Sequence, residues 1–236
     1  KSFYSQGFTM KITHKKIGKT LNQKILQLND IIADIDHLLT EMETNFYRVS
    51  IFGSARIKAG TPNYEQVYEL AYQLAKRGVD IVTGGGPGLM GAANKGAKDG
   101  GKESRSIGLP ISLPFESREN AHLDVKRHHR RFSSRLDEFM RISHAVIVTP
   151  GGIGTLLEMF YTWQLIQVGH IKTRPILLLG DSKMWKDLIA WFEKWPVKNS
   201  LMTAKDVDNL TICDSIEKVI SHLEPEFKKF QQKHPQ

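Results

Sequence analysis

The chain has 236 residues, of which 40% are hydrophobic, so it is long enough for one sizeable domain with a real core. Because no apolar run approaches the roughly 18 residues of a membrane span, we expect no membrane segment, and we expect no signal peptide. The net charge of +8 would suit a nucleic acid, a small anionic substrate or simply a basic surface. Since no RNA-binding motif or aromatic-interleaved basic stripe accompanies the charge, we rank nucleotide binding above binding of a nucleic-acid polymer.

The one cysteine, Cys213, excludes an internal disulfide and fits a reducing compartment. We therefore expect a cytoplasmic protein. The neighbouring residues His128 and His129 diverge on a helix or a strand, and no carboxylate or cysteine completes a ligand set around them. We expect neither a metal ion nor a cofactor.

The N-terminal part is predicted to be a loose polar arm over residues 1–18, followed by a helix. From Lys19 to Glu43, apolar residues recur three or four positions apart, which is the pattern of one face of an amphipathic helix. These residues are Leu21, Ile25, Leu28, Ile32, Ile35, Leu39 and Met42. We expect this helix to pack on the body of the domain or on a partner.

Strands and helices are predicted to alternate along the rest of the chain. Short runs of apolar and β-branched residues predict six strands, at 47–52, 79–83, 106–111, 145–148, 175–179 and 209–213. Ser215 is expected to cap a last helix that ends at about His222, before a polar tail. The alternation is typical of a parallel, doubly wound α/β sheet similar to a Rossmann fold.

Glycine-rich loops follow two of these strands, and ligands bind at the carboxyl ends of strands in such sheets. Gly53 and Ser54 follow the first strand, and Gly84-Gly85-Gly86-Pro87-Gly88-Leu89-Met90-Gly91 follows the second. The spacing in this second loop fits neither the dinucleotide fingerprint nor a Walker loop. Because a purely structural turn would not need four glycines before a helix, we interpret it as a binding loop. Glu116 and Asn120, after the third strand, are either ligand-binding residues or part of an ordinary surface loop.

A third loop, Thr149 to Glu158, joins the fourth predicted strand to a helix. Gly151, Gly152 and Gly154 bring backbone N–H groups to a helix N-terminus, where unpaired amides and the helix dipole both favour an anion. Thr155 adds a hydroxyl donor, and Glu158 lies about one turn into the helix. The alternative is a tight turn with a solvated Glu. A phosphate site beside a carboxylate indicates chemistry on a phosphorylated substrate.

The helix after this third loop is apolar nearly all round. Its apolar residues are Leu156, Leu157, Met159, Phe160, Tyr161, Trp163, Leu165, Ile166 and Val168. One side of such a helix meets the sheet, and the other side must meet something else. We predict that a second copy of the chain covers it, as in a homodimer.

Two motifs together resemble those of a known family. Gly-Gly-Gly-Pro-Gly-Leu-Met-Gly at 84–91 and Pro-Gly-Gly-Ile-Gly-Thr-Leu-Leu-Glu at 150–158 are similar to motifs of the LOG ("Lonely guy") phosphoribohydrolases, often mislabelled lysine decarboxylases. The resemblance covers roughly Tyr47 to His222. It implies hydrolysis of the N-glycosidic bond of a nucleoside 5′-monophosphate such as AMP, which releases the free base and ribose 5-phosphate.

The resemblance also implies functional residues. Arg135 and Glu158 match the catalytic pair of the family, and the loops supply the substrate-binding residues. The expected set is Ser54, Gly84, Gly85, Gly86, Gly88, Met90, Gly91, Glu116, Asn120, Gly151, Gly152, Gly154 and Thr155. The predicted division is an arm and helix at 1–46, a Rossmann-like catalytic domain at 47–222 and a polar tail at 223–236.

The resemblance does not identify which base is released. Cytokinin-activating members usually have Arg-Lys where this chain has Arg135-Leu136, and residues 135–144 look more like the core of bacterial nucleotide 5′-monophosphate nucleosidases. Two other functions are kept as alternatives. One is a nucleotide-binding or sensing protein of the same fold without activity, and the other is a nucleic-acid-binding module that uses the basic charge.

Overall fold

The computed structural model describes residues 45–101, 103–111 and 119–234, together with residues 18, 20–28, 31, 32 and 35. The chain divides into two units, Lys1–Thr44 and Asn45–Gln236. The described residues of the first unit are all helical, as the predicted amphipathic helix requires. The apolar side chains of its described stripe, among them Leu21 and Ile25, are exposed. Which surface that stripe packs on stays a prediction, and so does the division into domains.

The second unit is built on a seven-stranded sheet whose described strand pairs are all parallel. The strands are β1 (Arg48–Phe52), β2 (Asp80–Thr83), β3 (Ser106–Gly108), β4 (Val125–Lys126), β5 (Ala145–Val148), β6 (Ile176–Leu179) and β7 (Leu210–Cys213). Their order across the sheet is β4-β3-β2-β1-β5-β6-β7, so the chain winds outward from β1 first in one direction and then in the other. The predicted doubly wound parallel α/β fold is confirmed.

Helices cover both faces of the sheet. They are α1 (Pro62–Ala75), α2 (Leu89–Gly100), α3 (Phe132–Ile142), α4 (Ile153–Gln167), α5 (Ser182–Phe192), α6 (Ala204–Val207) and α7 (Ile216–Lys233), with a π-helical turn at Glu193–Val197. Helices α1, α2 and α7 share one apolar core with the sheet, and α3, α4 and α5 share the other. Strand side chains alternate between the cores, with Ile147 in the first and Val146 and Val148 in the second. Within the described residues, no helix is long and apolar enough to cross a membrane.

The structure corrects the sequence interpretation at two elements. Strand β4 was not predicted, because its two residues are too few to show a period and they adjoin the charged run 126–131. Helix α7 continues to Lys233, so the helix end expected at about His222 is wrong, and residues 223–233 of the expected tail are helical. The helix continues because Leu223, Phe227 and Phe230 pack against the core.

A buried charge cluster joins the amino ends of the first three strands. Asp80 is fully buried at the start of β2. It accepts a hydrogen bond from the Arg105 backbone at 2.8 Å and one from the Arg105 guanidinium at 2.9 Å, and Arg48 Nε lies 3.5 Å away. An unpaired buried carboxylate would cost on the order of several kcal/mol. These contacts therefore favour one register among β1, β2 and the chain entering β3.

His144, which precedes β5, is held neutral beside this cluster. Its Nδ1 accepts a hydrogen bond from the Arg48 backbone N–H at 3.0 Å, and its ring stacks on Tyr47 at 4.9 Å between centroids. Burial, helped by the positive charges of Arg48 and Arg174 and by His234, lowers the pKa of His144 to about 4. The folded protein therefore binds a proton at His144 much less readily than the unfolded chain does.

We predict that the free energy of unfolding falls as the pH drops from about 6.5, the ordinary histidine pKa, toward the folded value. In that window the unfolded chain binds the proton and the folded protein does not, so His144 contributes stability that is fully present above the window. The full loss is at most about 3 kcal/mol. Denaturant unfolding at pH 4.5 and pH 7.5 measures it.

The matched variant is His144→Asn, whose side-chain oxygen can still accept the Arg48 N–H but does not titrate. Its stability should depend less on pH than that of the wild-type protein, whatever the other titrating groups contribute. The same pH dependence in both proteins would contradict this account of His144.

Candidate active site

A cavity of about 750 Å³ opens where the carboxyl ends of β1 to β5 meet. It is lined by the turn Gly53–Arg56 after β1, the glycine loop 84–87 after β2, Pro110 and Ile111 after β3, His128 after β4 and residues 152–155 after β5. Its volume lies within the range of roughly 300 to 1,000 Å³ that is common for small-molecule sites. Its place is the one where doubly wound sheets bind ligands, beside the point at which the strand order reverses.

Most of the residues that were predicted from the sequence to be catalytic or to bind substrate line the cavity. Ten of them line it, namely Ser54, Gly84, Gly85, Gly86, Met90, Arg135, Gly152, Gly154, Thr155 and Glu158. Gly88, Gly91, Asn120 and Gly151 do not line it. Glu116 lies outside the described residues.

The glycine loop after β2 approaches the turn after β1 closely. Gly88 has a φ of +68°, and a Cβ there would lie 2.7 Å from the carbonyl oxygen of Ala55. The N–H of Leu89 donates to the carbonyl oxygen of Ser54 at 2.9 Å. Only glycine fits at this position, so Gly88 determines the conformation of the loop but does not itself line the cavity.

The glycine loop after β5 leads into the N-terminus of α4. Gly152 is the N-cap residue, and its carbonyl oxygen accepts the first helical hydrogen bond, from Leu156 N–H, at 3.0 Å. The N–H groups of residues 153–155 precede that bond, and the first N–H groups of a helix have no partner within it. A Cβ at Gly152 or Gly154 would meet no atom within 4 Å, so the backbone here is open to a ligand. The arrangement favours an anion.

Arg135 and Glu158 form a buried ion pair in the cavity wall. Arg135 Nη1 lies 3.3 Å from Glu158 Oε1, and the two side chains are 11% and 12% exposed. Arg135 Nε donates to the carbonyl oxygen of Leu109, at the end of β3, at 2.7 Å. The guanidinium also packs against Gly84, where a Cβ would collide with it. Contacts with Glu158 on α4, with the Leu109 carbonyl oxygen after β3 and with Gly84 after β2 thus fix the position of this arginine.

The carboxyl group of Glu158 titrates near neutral pH. Burial raises its pKa to about 7, and the positive charge of Arg135 opposes that rise. Burial also lowers the pKa of Arg135, while Glu158 acts to raise it. A carboxyl group with a pKa near the working pH can both carry charge and accept a proton, as catalytic carboxylates do.

One wall of the cavity was not predicted from the sequence. It is formed by Pro110, Ile111, Glu119, His128 and Phe132. Glu119 lies 2.9 Å from Lys126 Nζ and 3.5 Å from His128 Nδ1. The sequence would have pointed to His128 as a site residue only if β4 had been predicted, because His128 would then follow the carboxyl end of a strand. Within the described residues, no group of three or more His, Cys, Asp and Glu side chains could hold a metal ion.

The fold and the site define a doubly wound α/β protein with two anion-binding glycine loops around a buried Arg–Glu pair. Residues 90–223 match the family model described as "Possible lysine decarboxylase". Because the match covers more than half of the chain, the chain belongs to this family, the LOG family.

Known relatives are similar over most of the chain. Cytokinin riboside 5′-monophosphate phosphoribohydrolase LOG2 from Arabidopsis thaliana is 29% identical over 157 residues, which is 66% of this chain and 73% of the relative. LOG7 from the same plant, with the same enzyme name, is 27% identical over 200 residues, 83% of this chain and 90% of the relative.

A solved structure shares the fold. The molybdenum cofactor binding protein from Rippkaea orientalis has a TM-score of 0.57 and 21% identity, and the match covers 77% of this chain and 98% of that one.

We predict that Arg135→Gln raises the pKa of Glu158 above about 7, because the substitution removes the one attraction that opposes the effect of burial. NMR titration of the glutamate carboxyl carbons measures this pKa, and Glu158→Gln assigns the signal. Arg141→Gln is the matched control on the same helix, since Arg141 pairs with Glu138 at 2.7 Å. An unchanged or lower pKa in Arg135→Gln would show that the pair does not control this carboxyl group.

Proposed function

We propose that this protein hydrolyses the N-glycosidic bond of a nucleoside 5′-monophosphate and releases the free base and ribose 5-phosphate. The observation that carries the proposal is the buried Arg135–Glu158 pair in the wall of a cavity that two glycine loops also line. Relatives whose names state phosphoribohydrolase activity on a nucleoside 5′-monophosphate support the reaction class.

In this proposal the glycine loops bind the 5′-phosphate. The N-terminus of α4 supplies N–H groups at residues 153–155 and the hydroxyl group of Thr155, and the loop 84–86 supplies the opposite side of the same cavity. A phosphate at a helix N-terminus is stabilised both by direct hydrogen bonds and by the helix dipole. The net charge of +8 helps to attract an anionic substrate.

Glu158 acts on the sugar in this proposal. As the C1′–N bond breaks, its electron pair goes to the base, which takes up a proton, and positive charge develops on the ribose. A carboxylate stabilises that charge, or takes the proton from the water whose oxygen bonds to C1′, as in glycoside hydrolysis. The proton that the water loses balances the one that the base takes up. Arg135, fixed by the Leu109 carbonyl oxygen, orients Glu158 and offsets negative charge on the departing base.

The base itself is left open. The wall formed by Pro110, Ile111, Glu119, His128 and Phe132 is mixed, with apolar side chains beside the Glu119 carboxyl group and the His128 imidazole. The relatives' names specify a cytokinin riboside. Because Leu136 stands where cytokinin-activating members usually have lysine, we propose the general class of nucleoside 5′-monophosphates and do not restrict it to cytokinins.

We predict that Glu158→Gln lowers kcat by about a hundredfold or more, because the amide can neither carry the charge nor take the proton. Free base and ribose 5-phosphate are measured after incubation with AMP, GMP, IMP, CMP, UMP and a prenylated AMP. The dissociation constant of the best substrate should change little, since the loops are intact. Glu138→Gln is the control, because Glu138 is also largely buried against arginines but does not line the cavity.

Two outcomes would count against the proposal. Near-normal turnover in Glu158→Gln would mean that another group performs the reaction. If no nucleotide in the panel is cleaved although AMP binds, the protein is a nucleotide-binding or sensing member of the fold. That alternative draws on the molybdenum cofactor binding protein from Rippkaea orientalis, which shares this fold.

We infer that a second copy of the chain covers the outer face of α4. Leu157 on α4 is 42% exposed and Val168, the C-cap residue of that helix, is 61% exposed, while the inner face of the helix is buried in the core. Exposed apolar side chains gathered on one helix face are typical of an interface, and most symmetric assemblies are dimers. A homodimer would bury them.

Leu157→Glu should therefore weaken the dimer, because it places a charge in an apolar interface. Sedimentation velocity across a range of protein concentrations measures the oligomeric state. Lys76→Glu is the control, since Lys76 caps α1 on the opposite side of the sheet. A wild-type protein that is monomeric at every concentration would exclude the proposed dimer.

A further inference from the structure

Asn94 is a buried polar residue that the proposed reaction does not use. It lies on α2, is completely buried and does not line the cavity. A buried amide is stable only when its donors and acceptors are paired, so its partners show what it holds in place.

The partners of Asn94 come from three separate segments. Its Oδ1 accepts hydrogen bonds from Thr83 Oγ1 at 2.6 Å and from Asn120 Nδ2 at 2.9 Å. Its Nδ2 donates to Ser106 Oγ at 2.8 Å. One side chain therefore joins the end of β2, the start of β3 and the segment that begins at residue 119.

Two of these partners hold the glycine loop directly. The N–H of Gly85 donates to Thr83 Oγ1 at 2.9 Å. From the other side, Asn120 donates its own N–H to the carbonyl oxygen of Gly85 at 2.9 Å and its Nδ2 to that of Gly86 at 3.0 Å. The peptide groups at Gly85 and Gly86 are thus held between Thr83 and Asn120, and both of these depend on Asn94.

We propose that Asn94 is a positioning residue that sets the conformation of the loop 84–86, and through it the affinity for the substrate. The inference rests on the proposed function, because that function makes this loop one side of the phosphate site. Asn120 then belongs to the support of the loop: its Oδ1 accepts the His122 N–H at 3.0 Å, and its Nδ2 is used within the protein.

The catalytic pair is held by other contacts. The polar contacts of Arg135 are with the Leu109 carbonyl oxygen and with Glu158, and neither of these includes a residue of the Asn94 network. Its guanidinium meets the loop only by packing against Gly84, which accepts none of the hydrogen bonds that lead to Asn94. Loosening the loop should therefore weaken binding in the ground state and in the transition state alike. Such a change raises KM and leaves kcat nearly constant.

The first test is Asn94→Ala in the full chain, with the best nucleotide of the panel as substrate. KM should rise about tenfold or more while kcat stays within about threefold. The control is Ser143→Ala, which removes the buried hydrogen bond between Ser143 and Ser50 (2.5 Å) away from the loop. That control should lower Tm but leave KM unchanged. If Asn94→Ala lowers Tm without raising KM, Asn94 has only a structural role.

Asn120→Ala completes a double-mutant cycle. Because Asn94 acts partly through Asn120, the double variant should raise KM by less than the product of the two single effects. Simple multiplication of the effects would contradict the proposed coupling. If Asn94→Ala does not fold, Thr83→Val, which has a similar shape, removes the hydrogen bonds of Thr83 with Asn94 and with the Gly85 N–H and should also raise KM.

Hydrogen exchange gives a readout that needs no turnover. In Asn94→Ala the amides of Gly85, Asn120 and His122 should exchange about tenfold faster or more. The Thr149 amide, which donates to the Phe52 carbonyl oxygen near the other glycine loop, should not change. Active protein with unchanged KM and unchanged exchange would overturn the inference and leave the proposed function standing. If no nucleotide is cleaved, the proposed function fails, and the exchange rates alone decide whether Asn94 positions the loop.

Discussion

The buried ion pair between Arg135 and Glu158 is the interaction on which the site depends. Their charged groups lie 3.3 Å apart, and each side chain is almost nine-tenths buried. Neither charge could be buried alone without a cost on the order of several kcal/mol. The pair therefore requires α3 and α4 to pack side by side, and it requires the end of β3 to offer the Leu109 carbonyl oxygen to the same arginine. Packing and chemistry are constrained by the same contacts.

The parallel sheet explains how residues far apart in sequence reach this pair. All described strands run in one direction, so the loops after β1, β2 and β5 leave the sheet at one edge. β1 lies between β2 and β5, and the chain reverses its direction of winding there, which separates the two glycine loops and leaves a crevice between them. The close approach of Gly88 to the backbone of Ala55 brings the glycine loop after β2 to the edge of that crevice.

Much of the fold and part of the site could be predicted from local sequence. Strands such as β5 are continuous apolar runs in which most residues are β-branched, and the glycine loops begin within a few residues of such runs. β4 could not be found, because two residues carry no period. The inward orientation of Asn120 depends on Gly86 and Asn94, which lie 34 and 26 residues away. The pKa of Glu158 likewise depends on tertiary burial, which no spacing in the sequence reveals.

In the proposed function, binding and chemistry are supported by largely different contacts. The loop 84–86 is held by hydrogen bonds that lead to Asn94, whereas Arg135 and Glu158 are held by the packing of α3 and α4 and by one carbonyl oxygen. The two meet where the Arg135 guanidinium packs against Gly84. A change in one support need not disturb the other. In the remaining wall, Glu119 adjoins Asn120 of the first support, Phe132 begins the helix α3 of the second, and His128 follows β4. In the proposed function, a change that loosens the loop 84–86 would therefore act mainly on substrate affinity, while the Leu109 carbonyl oxygen and Glu158 still hold Arg135.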